Sequence, residues 1–356
     1  MQLLIDATSL LLRSAGVKNY TYRWLEHLRS AARNETIRAF PFFDRLGALN
    51  HEHSTLSAGQ TYPRILALHL ANNGLVDWFT RGADIFHMSN QVRRVPRKPK
   101  ITATLHDFTC WLMPELHTAG NIQADRNFAL HVLKRADRLI AVSENTRQDA
   151  IRLLGIDPAR IDVIYSGVTQ VFFDAQPAPS ARPYALFVGT IEPRKNVEVL
   201  LDAWQSSHLW RDFDLKIAGP AGWSSKKVLA RLAERPPGVE YLGYIAEDEL
   251  PGLTAGASVF VYPSLYEGFG FPVAQAMAAA VPVITSSVSC LPEVVGEGGV
   301  FVDPRSSEEL SQALKTMLTS PTLLQQYGQA GRRRAERYRW ETCATQSLTF
   351  FHNVLG

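Results

Sequence analysis

The sequence predicts an α/β protein made of two doubly wound domains, each with a parallel sheet covered by helices on both faces. Three observations lead to this prediction. Short β-rich apolar runs alternate with helical stretches along the chain, which is the pattern of parallel sheets. The runs are almost continuously apolar, as expected for strands buried on both faces. The length of 356 residues is enough for two such domains.

Twelve apolar runs predict the strands, six in each half of the chain. Those of the first half are LLIDAT (3–8), IRAFPFF (37–43), ADIFHM (83–88), ITATLHD (101–107), RLIAVS (138–143) and IDVIYSG (161–167). Those of the second half are YALFVGT (184–190), FDLKIAGP (213–220), VEYLGY (239–244), VFVYPS (259–264), VPVITS (281–286) and GVFVDP (299–304). Segments between them, such as SEELSQALKTMLTS, carry apolar residues at i, i+3 and i+4, which predicts amphipathic helices.

The domain boundary is predicted at DAQPAPSARP (174–183), where proline, alanine and serine leave little to bury. We therefore expect a first domain over 1–173, a linker over 174–183 and a second domain over 184–335. Residues 336–356 should form an amphipathic helix that packs back on the first domain.

Ligands of open parallel sheets bind beyond the carboxyl ends of the strands. Two such domains, facing each other across a cleft, should carry their functional residues just after strands.

Composition excludes several classes of function. The net charge of +3 does not support nucleic acid as a partner. The three scattered cysteines, Cys110, Cys290 and Cys343, suit neither a disulfide framework nor a zinc site. No apolar run is long enough for a membrane span, and the first residues do not resemble a secretion signal. We therefore expect a cytoplasmic protein.

A basic cluster in QVRRVPRKPK has two interpretations, and both stay open at this point. Its members are Arg93, Arg94, Arg97, Lys98 and Lys100. The first interpretation is a solvated loop before a strand. The second is a contact with anionic lipid headgroups or an anionic acceptor, which would hold the protein at the inner face of a membrane.

The most informative segment is YEGFGFPVAQAMAAAVPVITS (266–286). A predicted strand is followed by Glu267, by a tight turn from Gly268 to Gly270, and by a helix with Pro272 near its first position. The amides at a helix start favour an anion, but Glu267 would repel a bare phosphate. A ligand with both phosphate and hydroxyl groups suits this arrangement. The alternative is an acid at a helix start beside a packing turn.

A second segment, FVGTIEPRKNVEVLLDAW (187–204), places two cations after a strand. The strand should end at Gly189, and Arg194 and Lys195 lie in the loop before a helix that starts near Asn196. Arginine binds two phosphate oxygens at once and lysine acts as a point charge. A surface Arg–Lys pair is the alternative. Because both segments follow strands of the same domain, together they favour a sugar-phosphate ligand.

These segments resemble a known family. EGFGFPVAQAMA resembles the E-x7-E segment of the large retaining glycosyltransferase family four, which has the GT-B fold, and GTIEPRKN resembles its phosphate-binding loop. Other similar segments are LHD (105–107), AVSENTRQDAI (141–151), VIYSGV (163–168), LPEVVGEGGVFVDP (291–304) and YRWE (338–341). The resemblance covers essentially the whole chain, and the EPRKN variant is most similar to bacterial mannosyl- and hexosyltransferases of polysaccharide assembly.

The resemblance implies a retaining hexosyltransferase. The donor would be a nucleotide sugar of the GDP-mannose or UDP-glucose type, the acceptor a glycan or lipid-linked glycan hydroxyl, and no metal or other cofactor would be needed. Lys195 would contact the leaving diphosphate with Arg194 beside it, and Glu267 would bind hydroxyls of the donor hexose. The remaining donor contacts would come from the backbone of Gly268, Phe269 and Gly270 and from the region of Ile245.

The first domain would contribute fewer groups. The resemblance implies that Gly16 approaches the diphosphate and that His106 faces the transferred sugar. Asp107 lies on the acceptor side, and we expect it to cap or brace its loop. His87 follows a predicted strand and has two open interpretations, as a group lining the acceptor side or as a structural residue. His69, His117 and His131 are expected to be structural or on the surface.

Two positions depart from the family pattern. The second acid of E-x7-E is Gln275, so ribose binding would involve less charge. The arginine usual after the strand glycine is Thr190, and Arg194 is expected to replace it. Alternatives therefore stay open: a degenerate glycosyltransferase-like binding subunit, or a nucleotide-sugar epimerase of GT-B shape. A dinucleotide oxidoreductase is disfavoured because no G-x-G-x-x-G follows the first strand.

Overall fold

The computed structural model describes residues 1–13, 16–43, 46–51 and 53–356. The chain forms two compact units, one made of Met1–Gly167 with Trp340–Gly356 and the other of Val168–Arg339. Each unit holds a six-stranded sheet in which the described pairings are parallel. The predicted α/β class is therefore confirmed.

The first unit has its first strand inside the sheet rather than at the edge. The strands are β1 (Gln2–Asp6), β2 (Thr36–Phe40), β3 (Ile85–Met88), β4 (Lys100–Leu105), β5 (Arg138–Ala141) and β6 (Ile161–Val163). Their order is β2-β1-β3-β4-β5-β6. The helices are α1 (Gly16–Ala31), α2 (Ala58–Leu70), α3 (Val76–Phe79), α4 (Thr109–Leu112), α5 (Ala119–Phe128) and α6 (Glu144–Leu154). Shorter 3₁₀ turns span Thr8–Leu11, Pro114–Leu116 and Pro158–Arg160, and π turns span Ala71–Leu75 and Ala129–Leu133.

The second unit has the strand order β12-β11-β10-β7-β8-β9. Its strands are β7 (Tyr184–Val188), β8 (Asp214–Ala218), β9 (Val239–Gly243), β10 (Val259–Tyr262), β11 (Val283–Ser286) and β12 (Gly299–Val302). The order reverses between β7 and β10, which are direct neighbours. Such a reversal leaves a crevice beyond the carboxyl ends of the two strands.

The helices of the second unit cover both faces of this sheet. They are α7 (Gln170–Phe173), α8 (Val197–Ser207), α9 (Lys226–Ala233), α10 (Leu250–Ala255), α11 (Phe271–Ala278), α12 (Leu291–Val295), α13 (Ser307–Leu318) and α14 (Pro321–Ala335). Short 3₁₀ turns span Pro193–Lys195, Leu209–Arg211 and Gly296–Gly298. Serine caps set several helix starts: Ser306 Oγ accepts from Glu309 N at 3.1 Å, and Ser320 Oγ accepts from Leu323 N at 3.4 Å.

The last helix, α15 (Trp340–Leu355), belongs to the first unit. It packs against α1, where the indole Nε1 of the buried Trp24 donates to Ser347 Oγ at 2.9 Å. Apolar side chains on one face of α15, among them Phe350 and Phe351, are buried. The amphipathic pattern of the chain's last helix therefore corresponds to one face packed against the first unit.

The boundaries of the two units differ from the expected ones, which were a first domain ending at 173, a linker over 174–183 and a second domain ending at 335. Residues 168–173 belong to the second unit, because Val168 N donates to Tyr338 O at 2.7 Å and the guanidinium of Arg339 stacks 4.1 Å from the ring of Phe173. The Pro-rich segment 174–183 also lies within that unit, where Ala178 N donates to Gly252 O at 3.0 Å. Backbone pairing holds this segment although it has few apolar side chains. No described helix has the length and apolar character needed to cross a membrane.

Candidate active site

Two loops meet beyond the neighbouring ends of β7 and β10. The loop after β7 turns through the 3₁₀ segment Pro193–Lys195 and then through Asn196, whose φ is 59°. The side-chain amide of Asn196 donates to Pro263 O at 3.0 Å and to Pro304 O at 2.6 Å. Asn196 therefore ties the β7 loop to the loop after β10 and sets the position of Arg194 and Lys195.

The loop after β10 is held in turn by Ser264. Its hydroxyl lies 2.6 Å from Oε1 of Glu267, and Leu265 N donates to Arg194 O at 2.9 Å. The backbone then reaches Gly270, whose φ of 86° suits glycine, and enters α11. Glu267 thus lies a few residues before a helix start, as the sequence predicted.

Four charged side chains form one buried group, which we call the charged cluster: Glu192, Arg194, Lys195 and Glu267. Lys195 Nζ lies 2.6 Å from Glu267 Oε1, and Arg194 Nη1 lies 2.8 Å from Glu267 Oε2. Arg194 Nη2 lies 2.7 Å from Glu192 Oε1. The side chains of Lys195 and Glu267 are only 10% and 9% exposed. Two cations therefore alternate with two carboxylates in a site largely shielded from water.

Tyr262 completes the cluster from the end of β10. Its hydroxyl accepts from Lys195 Nζ at 2.6 Å and donates to Glu267 Oε1 at 3.0 Å. Burial raises the pKa of this phenol well above its ordinary value, and the charge of Glu267 acts in the same direction. The hydroxyl therefore keeps its proton and fixes the relative position of Lys195 and Glu267.

The cluster sets the charge of its own members. Burial alone would raise the pKa of the Glu267 carboxyl, but the positive charges of Arg194 and Lys195 outweigh burial and hold that pKa at about 2. Burial, with the charge of Arg194, lowers the pKa of Lys195, and the two carboxylates oppose this shift. Burial raises the pKa of Glu192, against the pull of Arg194 and Lys195. Glu267 is therefore an anion at neutral pH.

The other residues assigned to the donor lie at the same edge of the second sheet. Thr190 and Ile245 are partly buried two positions beyond the ends of β7 and β9. Gly268 and Phe269 are buried, and the ring of Phe269 packs edge-on against Phe271 and Tyr338, each at 5.4 Å. This packing fixes the backbone in front of α11. The partly buried Gln275 lies within α11, eight positions after Glu267.

In the first unit, His106 directly follows β4 and is partly buried. Its ring meets Tyr20 edge-on at 4.8 Å, and burial lowers its pKa to about 4 against the charge of Asp107. Asp107 Oδ1 accepts from Thr109 N at 3.0 Å and from Thr109 Oγ1 at 2.6 Å, so it braces the turn into α4. Gly16 is exposed at the start of α1, where an added Cβ would meet no atom within 4 Å. The preceding Ala15 lies outside the described residues.

His87 has the contacts of a structural histidine. It lies on β3, is 4% exposed, and its two ring nitrogens are 2.9 Å and 3.0 Å from the hydroxyls of Thr102 and Thr104. Burial, together with the charge of His106, lowers its pKa to about 3. Both nitrogens are satisfied within the sheet, so these contacts do not support a role on the acceptor side.

Three members of the site were not assigned by the sequence analysis: Tyr262, Ser264 and Glu192. Tyr262 ends β10 and Ser264 lies two positions later, and nothing in the local sequence pattern distinguishes them from ordinary residues at the end of a strand. Glu192 lies two positions before Arg194, and this acid inside EPRKN was the available indication. Among the described residues, no group of three or more His, Cys, Asp or Glu is arranged to hold a metal ion.

Comparisons with known proteins agree with this architecture. The family model described as Glycosyl transferases group 1 matches residues 168–334, and the model described as Glycosyltransferase Family 4 matches residues 14–170. The O-antigen chain mannosyltransferase B of Escherichia coli is 28% identical, over 94% of this chain and 95% of its own length.

Solved structures share the fold over almost the whole chain. The sucrose-phosphate synthase of Thermosynechococcus elongatus superposes with a TM-score of 0.77 at 19% identity, covering 99% of this chain and 98% of that one. Anabaena HepE in complex with UDP-glucose gives a TM-score of 0.73 at 18% identity, covering 99% of both chains. The family models together span residues 14–334. The chain therefore belongs to glycosyltransferase family 4 and has the two-domain α/β glycosyltransferase fold, GT-B.

Proposed function

We propose that this glycosyltransferase moves a hexose from a nucleotide sugar to a hydroxyl of a glycan or lipid-linked glycan, with retention at the anomeric carbon, in polysaccharide biosynthesis. The observation that carries the proposal is the buried contact of Lys195 and Arg194 with Glu267 at neighbouring strand ends. The mannosyltransferase relative and the UDP-glucose complex of HepE support a donor of the GDP-mannose or UDP-glucose type.

Lys195 and Arg194 are proposed to bind the leaving diphosphate. Charge grows on the diphosphate as the sugar–phosphate bond breaks, and fixed cations stabilise this charge without reorganising. At ~4 Å and an effective dielectric of ~20, one such contact contributes about 4 kcal/mol before desolvation. The amides at the start of α11 would act in the same sense. Together these groups would replace a divalent cation, so the reaction is proposed to be metal-independent.

Glu267 is proposed to accept hydrogen bonds from donor hexose hydroxyls. Its Oε1 already accepts hydrogen bonds from Lys195, Tyr262 and Ser264, whereas Oε2 is paired with Arg194. Each carboxylate oxygen offers about two acceptor positions, so Oε1 is fully occupied and one position remains on Oε2. Because the pKa of Glu267 is held at about 2, the carboxylate is available as an acceptor throughout the neutral range.

His106 is proposed to face the sugar as a neutral imidazole. Its pKa of about 4 keeps a positive charge away from a sugar that itself becomes oxocarbenium-like. The bond from the anomeric carbon to the diphosphate oxygen breaks, and the acceptor oxygen forms the new bond on the same face. The acceptor's proton passes to an oxygen of the leaving diphosphate, which leaves His106 a positioning role.

We place the reaction in the cytoplasm, at a membrane face that carries the lipid-linked acceptor. The three cysteines are buried and form no disulfide bond, which suits a reducing compartment. The basic segment 91–100 would supply a peripheral contact with anionic lipid. This lipid contact does not depend on the donor chemistry, and separate experiments test the two.

The test is a transfer assay with a panel of GDP- and UDP-sugars, with and without acceptor and chelator. The proposal expects an acceptor-dependent product whose anomeric configuration, measured by NMR, equals that of the donor, at a rate that the chelator does not change. A change of the nucleotide sugar without acceptor would instead indicate an epimerase. Nucleotide binding with no turnover of any sugar would indicate a degenerate binding subunit.

A further inference from the structure

The first unit exposes a group of large apolar side chains on α2 and α3. Twelve large apolar residues among those described are exposed, and seven of them lie between Phe42 and Trp78. This concentration sets the segment apart, because scattered single apolar residues are normal on a surface. A contiguous exposed patch marks an interaction site.

The pattern on α2 is that of a surface helix with its apolar stripe outward. Tyr62, Ile65, Leu66 and Leu70 follow the spacing i, i+3, i+4 and i+8, which places them on one face. Tyr62 is 72% exposed and Leu66 57%, whereas Ala67 is buried. An amphipathic helix of a globular protein normally turns such a stripe toward the core. Because this stripe faces outward, it suits contact with an apolar environment outside the protein.

The patch continues beyond α2. After a kink at Asn73 and Gly74, Leu75 and the 65% exposed Trp78 follow with helical spacing. Phe42 joins from the other side, because Arg64 Nη2 donates to Phe42 O at 2.6 Å and the rings of Phe42 and Phe79 lie 5.9 Å apart. We call these exposed side chains the apolar patch: Phe42, Tyr62, Ile65, Leu66, Leu70, Leu75 and Trp78.

The basic segment 91–100 is fixed beside the patch. Arg93 N donates to Asn72 Oδ1 at 2.7 Å, and Arg94 Nε donates to Asn72 O at 2.9 Å. Farther along, Arg97 N donates to Asp77 Oδ1 at 2.7 Å. Asn72 and Asp77 bracket the kink between α2 and α3, so the arginines lie next to Leu75 and Trp78 rather than on a detached loop.

These arginines line a pocket of about 360 Å³. Its cationic or titratable members are Arg93, Arg94, Arg97, His131 and Arg135. Asp77 is the one acid in its lining, and the Arg97 side chain, 91% exposed, lies 3.9 Å from it. Four arginines facing one carboxylate leave a positive excess that suits the phosphates of several headgroups.

We propose that the apolar patch and this arginine pocket form one docking surface for an anionic lipid bilayer. An apolar helix face enters the boundary between headgroups and acyl chains, tyrosine and tryptophan favour that boundary, and arginines beside it bind lipid phosphates. A second copy of the chain fits less well, because a two-fold contact through this patch would bring like-charged arginines together. The surface extends the membrane contact proposed above and requires neither donor nor acceptor.

The test is co-sedimentation of the full chain with vesicles of phosphatidylcholine alone or mixed with phosphatidylglycerol, without nucleotide. Binding is expected on the mixed vesicles and should weaken with salt. The triple variant R93Q/R94Q/R97Q should bind about 100-fold more weakly, because each charge near the surface of the membrane strengthens binding about fivefold. The control variant K226Q/K227Q/R235Q removes the same charge from exposed positions of the second unit and should bind normally.

A second pair of variants tests the apolar patch. Y62S/L66S should lose binding to mixed vesicles while keeping its melting temperature, because both side chains are exposed. Equal vesicle binding by wild type and the triple variant, or no binding by wild type, would overturn the proposal. So would a concentration-dependent dimer that Y62S/L66S abolishes, since the patch would then join two copies. Vesicle binding and sugar transfer are measured independently, so failure of one leaves the other standing.

Discussion

The ammonium of Lys195 lies 2.6 Å from Oε1 of Glu267, although the two residues follow different strands, β7 and β10. These strands are neighbours where the order of the sheet reverses. The contact therefore brings a cation suited to a diphosphate and an anion suited to sugar hydroxyls to the crevice that the strand order of the second unit provides. Arg194 and Glu192 extend the same alternation of charge.

Replacing Lys195 should remove transition-state stabilisation. Lys195→Met keeps most of the apolar stem and loses the charge, so we expect the turnover rate to fall by roughly 10²–10³, as for the loss of one oxyanion donor. The measurement is steady-state transfer with a saturating nucleotide sugar. Lys227→Met, at an exposed lysine paired with Glu198, is the control and should keep full activity. Unchanged turnover in a folded Lys195→Met variant would contradict the assignment.

Glu267→Gln should weaken sugar transfer but strengthen the binding of the free nucleoside diphosphate. The amide cannot offer the charge that sugar hydroxyls bind, so transfer should fall by roughly 10². Removing an anion beside Lys195 and Arg194 should tighten binding of the free nucleoside diphosphate by about tenfold, or ~1.4 kcal/mol. Calorimetric titration with the diphosphate measures the second effect.

The same variant has a structural cost. The two cations lose a buried partner, and we expect the free energy of unfolding to fall by about 3 kcal/mol. If diphosphate affinity fell together with transfer in a folded variant, Glu267 would support the phosphate site rather than the sugar site. Glu267→Asp, which keeps the charge but shortens the reach, should retain more stability than Glu267→Gln.

Tyr262 should act as a positioning residue. Tyr262→Phe removes the hydroxyl that contacts both Lys195 and Glu267, so we expect kcat to fall about tenfold with little change in the donor KM, and stability to fall by ~1–3 kcal/mol. Tyr184→Phe is the matched control: its buried hydroxyl donates to Leu253 O at 2.6 Å and should affect stability alone. Equal kcat values for both variants would show that Tyr262 is merely structural.

His87 should make the free energy of unfolding depend on pH, and this dependence should begin at a higher pH than the range in which carboxyl groups titrate. An unfolded imidazole gains its proton near pH 6.5, but burial holds the pKa of folded His87 at about 3, so the unfolded state binds more protons between these values. The free energy of unfolding therefore falls as the pH is lowered from 6.5, by up to ~1.4 kcal/mol per pH unit. His106, with a folded pKa of about 4, adds in the same direction.

Urea unfolding between pH 6.5 and 5 measures this slope. His87→Asn should reduce the slope by about half, because His106 still contributes the other part. An unchanged slope in that variant would show that folded His87 is protonated as readily as the unfolded residue. The same series at pH 8, where neither imidazole is charged, gives the purely structural cost of the substitution.

Much of the fold could be predicted from the sequence because the periodicity is strong. The buried runs that became β7 and β10 are almost purely apolar, so the residues after them, Lys195 and Glu267, were assigned to the strand ends. Their contact could not be predicted from periodicity, since only the strand order makes β7 and β10 neighbours. The 2.6 Å distance between the two side chains is a consequence of that order.

Contacts between residues that are distant along the chain leave little local signal in the sequence. His87 is satisfied by Thr102 and Thr104 on the adjacent strand, and no local pattern indicates that pairing. Segment 174–183 has a linker-like composition, but Ala178 pairs with the backbone of Gly252. Tyr262 was passed over for a related reason, because an aromatic residue at a strand end is common in a core and its hydroxyl partners lie in other loops.

We propose that Lys195, Arg194 and Glu267 form a nucleotide-sugar site that needs no metal. The most direct measurement is the thermal shift of wild type and Lys195→Met with GDP, UDP, ADP and their sugars, with and without chelator. At about 100 times its dissociation constant, a ligand adds ~2.7 kcal/mol of stability. We expect a shift with one nucleotide family that the chelator leaves unchanged and that Lys195→Met reduces. No shift with any nucleotide, or a shift lost on chelation, would contradict it.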